Sequence, residues 1–169
     1  MELNIEKKME LKDRLISFYK SNKLKLIILM GLLTLTAIII IFINIKNQKK
    51  NNLIAEKYVQ AGLYLSLEKN DQSKDLYEEI ILSKNKFYSI LSLNTIIEKN
   101  LISDESKILK YFEIVNKVTK TKEQNDILKF KRALYLIKIG NSERGIILLN
   151  QLIKDNSSIK SLAEELIPK

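Results

Sequence analysis

At 169 residues with no cysteine and no histidine, the chain excludes disulfide staples and zinc sites of the Cys/His kind. Only 4 glycines and 1 proline argue against an all-β sandwich or barrel and for helices joined by tight loops. The net charge of +9 is spread over lysines interspersed with acids, as at Glu78–Glu79–Lys84–Lys86 and Lys107–Lys110–Glu113–Lys117, so it makes no basic strip for nucleic acid.

Residues 1–23 form a basic head. Up to residue 25 the chain carries 7 basic and 4 acidic groups. Leu3, Met9, Leu11, Leu15, Ile16 and Phe18 suit a short amphipathic helix at a membrane surface. Their spacing is irregular, and a disordered basic leader fits equally well.

Leu24 to Ile45 is predicted to cross a membrane. Its 18 residues from Leu26 to Ile43 contain no charge, no proline and no amide. A helix rises about 1.5 Å per residue, so roughly 20 residues cover the ~30 Å hydrocarbon core. The apolar run exceeds the ~7–15 residues of a signal h-region and no small-x-small cleavage site follows, which predicts an uncleaved signal anchor. Gly31, Thr34 and Thr36 read as tolerated small residues, because Leu35 stands four positions after Gly31 where a dimer motif needs a small residue. Lys12, Arg14, Lys20, Lys23 and Lys25 precede the span; Lys46, Lys49, Lys50 and Lys57 follow it. That balance decides little. A short head before a single anchor and a long domain after it place the N-terminus in the cytoplasm and the body outside.

Residues 46–52 are a polar linker, and 53–169 are expected to form one helical domain. From residue 46 onward there are 22 basic and 16 acidic groups. Apolar residues recur at spacings of three and four, as a helix buried along one face requires. The successive sets are Ile54, Tyr58, Ala61 and Leu65; Leu76, Tyr77, Ile80 and Ile81; and Phe87, Ile90, Leu93 and Ile97. Ile108, Phe112, Val115 and Val118 follow, then Ile127, Phe130, Leu134 and Ile137, then Ile146, Leu149, Leu152 and Ile153. A last short helix is expected over Ser158 to Leu166. Ser103–Asp104–Glu105 and Thr121–x–x–Gln124 are helix-start signals, and Gly140–Asn141–Ser142 combines a stop with a new start.

The hairpins repeat. Gly62–Leu63–Tyr64–Leu65 aligns with Ala133–Leu134–Tyr135–Leu136, and Tyr77 and Ile80 align with Leu149 and Leu152 after a one-residue gap. The small or first-helix position falls at Gly62, Ile96 and Ala133, and the bulky second-helix position at Tyr77, Phe112 and Leu149. These steps of 34 to 37 residues match the roughly 34-residue period of tetratricopeptide repeats. The fold expected is all-α: one N-terminal transmembrane helix, then a tetratricopeptide-like right-handed α–α superhelix of stacked hairpins. An unrelated antiparallel bundle is the other reading.

A basic head ending FYKSNKLK, one span, a polar stretch and degenerate repeats, with the Tyr-containing helix pair from Asn85 to Val115, resembles the YfgM-like family. Its members are membrane-anchored tetratricopeptide proteins ancillary to the bacterial Sec translocon. The resemblance implies a place at the periplasmic face of the inner membrane, with translocon subunits, periplasmic chaperones or emerging secreted chains as partners. It supplies no catalytic residues.

No enzyme chemistry is expected from the residues themselves. A nucleophile–base pair is missing, adjacent acids such as Glu78–Glu79 point about 100° apart on a helix, and none of the glycines builds a phosphate cradle. No cofactor, metal or small-molecule substrate is expected. Stacked hairpins instead offer a surface for proteins. Tyr58, Tyr64, Tyr77, Tyr111 and Tyr135 are candidates for it, with Tyr64 and Tyr135 favoured as packing residues. Partners are therefore proteins and the lipid bilayer, and a scaffold subunit of another cell-envelope complex is the alternative function.

Overall fold

The computed structural model describes the backbone of residues 2–167 and the side chains of 12–14 and 16–167. The head positions Leu3, Met9, Leu11 and Leu15 lie outside the described side chains. Seven helices and no strand are found among the described residues: α1 (Glu2–Ser66), α2 (Asn70–Leu82), α3 (Tyr88–Glu98), α4 (Glu105–Asn116), α5 (Lys122–Lys138), α6 (Ser142–Lys154) and α7 (Lys160–Glu165). The chain divides into two compact units, residues 1–50 and 51–169, and α1 contributes to both. The polar stretch 46–52 is therefore helical.

In the first unit, α1 is long and apolar enough to cross a membrane. Between Leu24 and Ile45 every large apolar side chain except Leu26 is exposed. Thr34 Oγ1 donates to the Gly31 carbonyl at 2.9 Å and Thr36 Oγ1 to Leu33 at 2.8 Å. Both hydroxyls are thus satisfied within their own helix, which removes the cost of placing them among apolar groups.

The second unit is built from hairpins. The C-terminal part of α1 packs on α2, where Ser73 Oγ donates to the Ala61 carbonyl at 2.9 Å and Lys57 pairs with Glu79. Helix α2 packs on α3 and α4, α4 on α5, and α5 on α6, with α7 closing against α6. One core cluster joins α1 to α5 through Ala61, Tyr77, Ile80, Ile96, Phe112 and Tyr135. A second is smaller, gathering Ala133, Leu149, Leu152 and Ala163. Helix α5 serves both, with Leu128 and Tyr135 turned to the first and Ala133 to the second.

The buried residues fall at fixed intervals. Ala61, Ser73, Tyr77 and Ile80 correspond to Ala133, Gly145, Leu149 and Leu152, each pair 72 residues apart. Ile96, Ile108, Phe112 and Val115 repeat the same internal spacing between them. Helices α2 and α6 are likewise offset by 72 residues at both ends. The loops agree: Lys69 N donates to the Tyr64 carbonyl and Asn141 N to Leu136, both at 2.9 Å, in a Schellman stop.

This register corrects three expectations. The buried small residue of the first hairpin is Ala61, not Gly62, and with that shift the one-residue gap disappears. Tyr135 then corresponds to Leu63, and Tyr64 to Leu136. In α5, Ile127 and Leu134 are exposed whereas Leu128, Tyr135 and Leu136 are buried, because this helix is covered on two sides. The last helix, expected over roughly Ser158 to Leu166, runs from Lys160 to Glu165.

Capping follows local chemistry. Asp104 accepts from Lys107 N at 3.1 Å to start α4. Thr121 Oγ1 accepts from Gln124 N at 3.2 Å, and Gln124 Oε1 reaches back to Lys120 N. Helix stops use the left-handed region at Gly140 (φ 85°) and, without glycine, at Glu68, Lys84, Asn100 and Asn156.

Candidate interaction surface

The tyrosines are mostly structural. Tyr77, Tyr111 and Tyr135 are buried, which removes them from any docking surface. Burial raises the pKa of all three hydroxyls, and each stays neutral at ordinary pH. The Tyr135 ring packs tilted against Phe112 at 6.0 Å between centroids, joining α5 to α4. Tyr58 is half-buried between Tyr77 (5.6 Å) and Tyr88 (5.4 Å). Tyr64 is half-buried too: its hydroxyl accepts from Gln60 at 3.1 Å, and the Lys69 ammonium lies over its ring.

Of the repeat positions read from sequence, Ile96, Ala133, Tyr77, Phe112 and Leu149 all lie in the core, while Gly62 is half-buried. A Cβ on Gly62 would meet only the Tyr77 hydroxyl at 3.8 Å, an ordinary contact. The close approach is at Gly145 of α6. A Cβ there would come within 2.9 Å of the Ala133 carbonyl and 2.6 Å of Ile137 Cγ1.

Charged contacts tie the hairpins together. Glu78 Oε1 meets Lys107 Nζ at 2.5 Å, linking α2 to α4 as an ion pair off the line of a hydrogen bond. This carboxylate holds the Lys107 pKa above its ordinary value. Lys129 reaches Asp155 at 3.5 Å between α5 and the end of α6. Among the described residues no group of three or more acids could hold a metal ion. A cavity of about 210 Å³ lies between α3, α4 and α5, lined by Ile96, Ile108, Tyr135 and Ile139. Sites for drug-sized ligands run to roughly 300–1,000 Å³, so this gap is too small, and its Lys138 is already bonded to Asn100 at 2.7 Å.

What remains open is apolar and helical. At the end of α1 and in the turn after it, Val59 (71% exposed), Leu63 (56%) and Leu67 (55%) are four residues apart, and Leu67 N still donates to the Leu63 carbonyl at 3.1 Å, so they form one ridge. They lie opposite the core stripe of Ile54, Tyr58, Ala61 and Leu65. A second exposed pair, Leu82 and Phe87, flanks the α2–α3 turn. Sequence reading missed the ridge because it sought one buried stripe per helix. The signal was there in the i, i+4, i+8 spacing on the face left over.

Comparison of the chain with protein-family models gives no match, and comparisons with curated proteins and with solved structures give none either.

Proposed function

We propose that this chain is a single-pass membrane protein whose helical domain binds other proteins at the periplasmic face of the bacterial inner membrane. The reading rests on one combination: an apolar segment of α1 with no buried residue and, in the same chain, hairpins that leave an apolar helical ridge uncovered. The equal internal spacing of the three hairpins, at steps of 35 and 37 residues from Ala61 to Ile96 to Ala133, supports a tetratricopeptide-like superhelix. The absence of histidine and cysteine supports a binding role over catalysis. The layout resembles that of the translocon-associated family and points to an ancillary, chaperone-linking role beside the Sec translocon.

Topology is tested by cysteine labelling, since the chain has no native cysteine. Ser158 is the site to use: it is exposed, whereas its neighbour Ser157 is buried. Ser158→Cys should react with a membrane-impermeant maleimide once the outer membrane is permeabilised. Protection until the inner membrane is lysed overturns the periplasmic placement. Crosslinking in intact membranes should then recover translocon subunits. Recovery of other envelope machinery in their place moves the assignment to a scaffold of that machinery.

A further inference from the structure

The turns of the body gather at two ends, and the ends differ in charge. Asn85 Nδ2 donates to Asn51 Oδ1 at 2.9 Å, which fixes the α2–α3 turn (83–87) to the start of the body part of α1. Lys86 of that turn meets Lys120 of the α4–α5 turn (117–121). Lys122 Nζ in turn donates to the Asp155 carbonyl of the α6–α7 turn (155–159) at 3.1 Å. These three turns therefore share one end with Asn51. They carry four lysines (Lys84, Lys86, Lys117 and Lys120) and one acid, Asp155, whose carboxylate is paired with Lys129 at 3.5 Å. The remaining turns, 67–69, 99–104 and 139–141, carry two lysines and two acids.

All four lysines are exposed. The Lys86 and Lys120 ammoniums lie within hydrogen-bonding reach of each other, and that contact, with their repulsion, holds the Lys86 pKa below its ordinary value. An anion relieves such a pair. Leu82 and Phe87 stand exposed on either side of Lys84 and Lys86. Asn85 Oδ1 holds this turn in shape by accepting from Phe87 N and Tyr88 N, both at 3.0 Å.

We propose that this basic end of the body rests on the bilayer that anchors the chain, with Leu82 and Phe87 entering its headgroup layer and the four lysines facing anionic lipid. The inference rests on the membrane-anchor reading above. Reach and charge choose the occupant. Asn51 follows Ile45 by six residues, which span at most about 20 Å even when fully extended. The lipid surface is thus within reach of this end whatever the angle between body and anchor. From Asn51 to Ser66 α1 rises about 22 Å, which separates the opposite turns from it. Exposed Leu and Phe framed by lysines suit the headgroup boundary of an anionic bilayer, where each lysine is worth roughly fivefold in affinity.

The chain has no native cysteine, so single probes can be placed on the full chain in vesicles. Leu82→Cys carrying a nitrobenzoxadiazole fluorophore should be quenched by headgroup-nitroxide lipid in vesicles of equal parts phosphatidylcholine and phosphatidylglycerol. Leu67→Cys, exposed in a turn at the opposite end, should not. Phosphatidylcholine alone should bring the quenching of Leu82→Cys down toward that of Leu67→Cys. So should salt at about 1 M, where the screening length falls to about 3 Å. Lys86→Glu combined with Lys120→Glu should do the same at unchanged helicity, because both positions are exposed. Equal quenching at the two sites overturns the proposal, as does quenching of Leu82→Cys that ignores lipid charge and both lysines. Shielding of Leu82→Cys in native membranes but not in vesicles also overturns it and gives this surface to another protein. Carbonate extraction separates the two readings. A chain retained in the vesicles without quenching loses the surface contact alone, and a released chain loses the anchor and the contact with it.

Discussion

Gly145 and Gly62 should respond to the same substitution with opposite sign. Both are helical glycines, so replacement by alanine gains up to about 1 kcal/mol in backbone propensity at either site. At Gly62 the new methyl meets only the Tyr77 hydroxyl at 3.8 Å, and the propensity gain survives as roughly 0.5–1 kcal/mol of stability. At Gly145 it falls 2.9 Å from a backbone carbonyl and 2.6 Å from Ile137 Cγ1, an atom one bond from a branched Cβ and stiff in a helix. Overpacking of this kind costs about 1–3 kcal/mol, so it cancels the propensity gain and leaves a net loss of up to about 2 kcal/mol. The first hairpin shows that the tightness is local, because its equivalent position holds a buried serine, Ser73, with a Cβ of its own. Thermal unfolding of the full chain in detergent, followed by circular dichroism at 222 nm, should separate the two variants by about 5–10 °C, Gly62→Ala above the parent and Gly145→Ala below it. Two variants shifted equally upward would refute the close approach of α5 and α6.

Other substitutions probe other parts of the body. Phe112 is fully buried where α4 meets α5, and Phe112→Ala should cost about 3–5 kcal/mol in urea unfolding. Lys84 ends α2 with φ 57°, and Lys84→Gly should stabilise by roughly 0.5–1 kcal/mol in the same assay, less than the left-handed penalty because glycine also frees the unfolded chain. The Asp104 carboxyl is held below its usual pKa by the Ser106 hydroxyl and the Lys107 amide. Its stabilising effect is therefore present above the unfolded value of about 3.9 and fades as pH falls through the lower folded value. Asp104→Ser keeps a capping oxygen without a charge, so the stability gap between parent and variant should close in acid. Lys107 has the opposite sign. Its raised pKa makes the Glu78 contact fully effective below about pH 10.4 and lost as pH rises through the folded value. Lys107→Met should flatten the alkaline limb of the stability profile.

Composition and periodicity carried much of this architecture, and the misreadings share a cause. An apolar run with no buried side chain is visible from residue types alone, as at Leu24 to Ile45. A helix buried along one stripe is equally legible, as in α4, where Ile108, Phe112 and Val115 are buried as the spacing predicts. Helix α5 breaks that rule because it is packed on two sides, and a one-stripe reading chose Ile127 and Leu134 over Leu128 and Tyr135. The choice of Gly62 over Ala61 came from two adjacent small residues, either of which satisfies a pattern that tolerates a gap. Phe87 fits the apolar period of α3 on paper but precedes the helix, at φ −97°, and stays 63% exposed. The stops at Glu68 and Lys84 carry no glycine, so nothing in residue type marked the left-handed turn. The open ridge on α1 is a statement about what does not cover it, and a linear pattern is silent on that.

The double duty of α5 also sets how the body comes apart. The smaller cluster holds α6 and α7 onto one side of it, while the larger cluster grips the other side independently. In a linear stack, loss of a terminal unit removes a single interface. Helix α7, packed chiefly against α6, is therefore the part that detaches first, while α5 and α6 stay paired through their close approach at Gly145. Amide exchange should be faster across 160–165 than across 105–116, which would make the C-terminal helix the least protected end of the domain and the first point of attack for a protease.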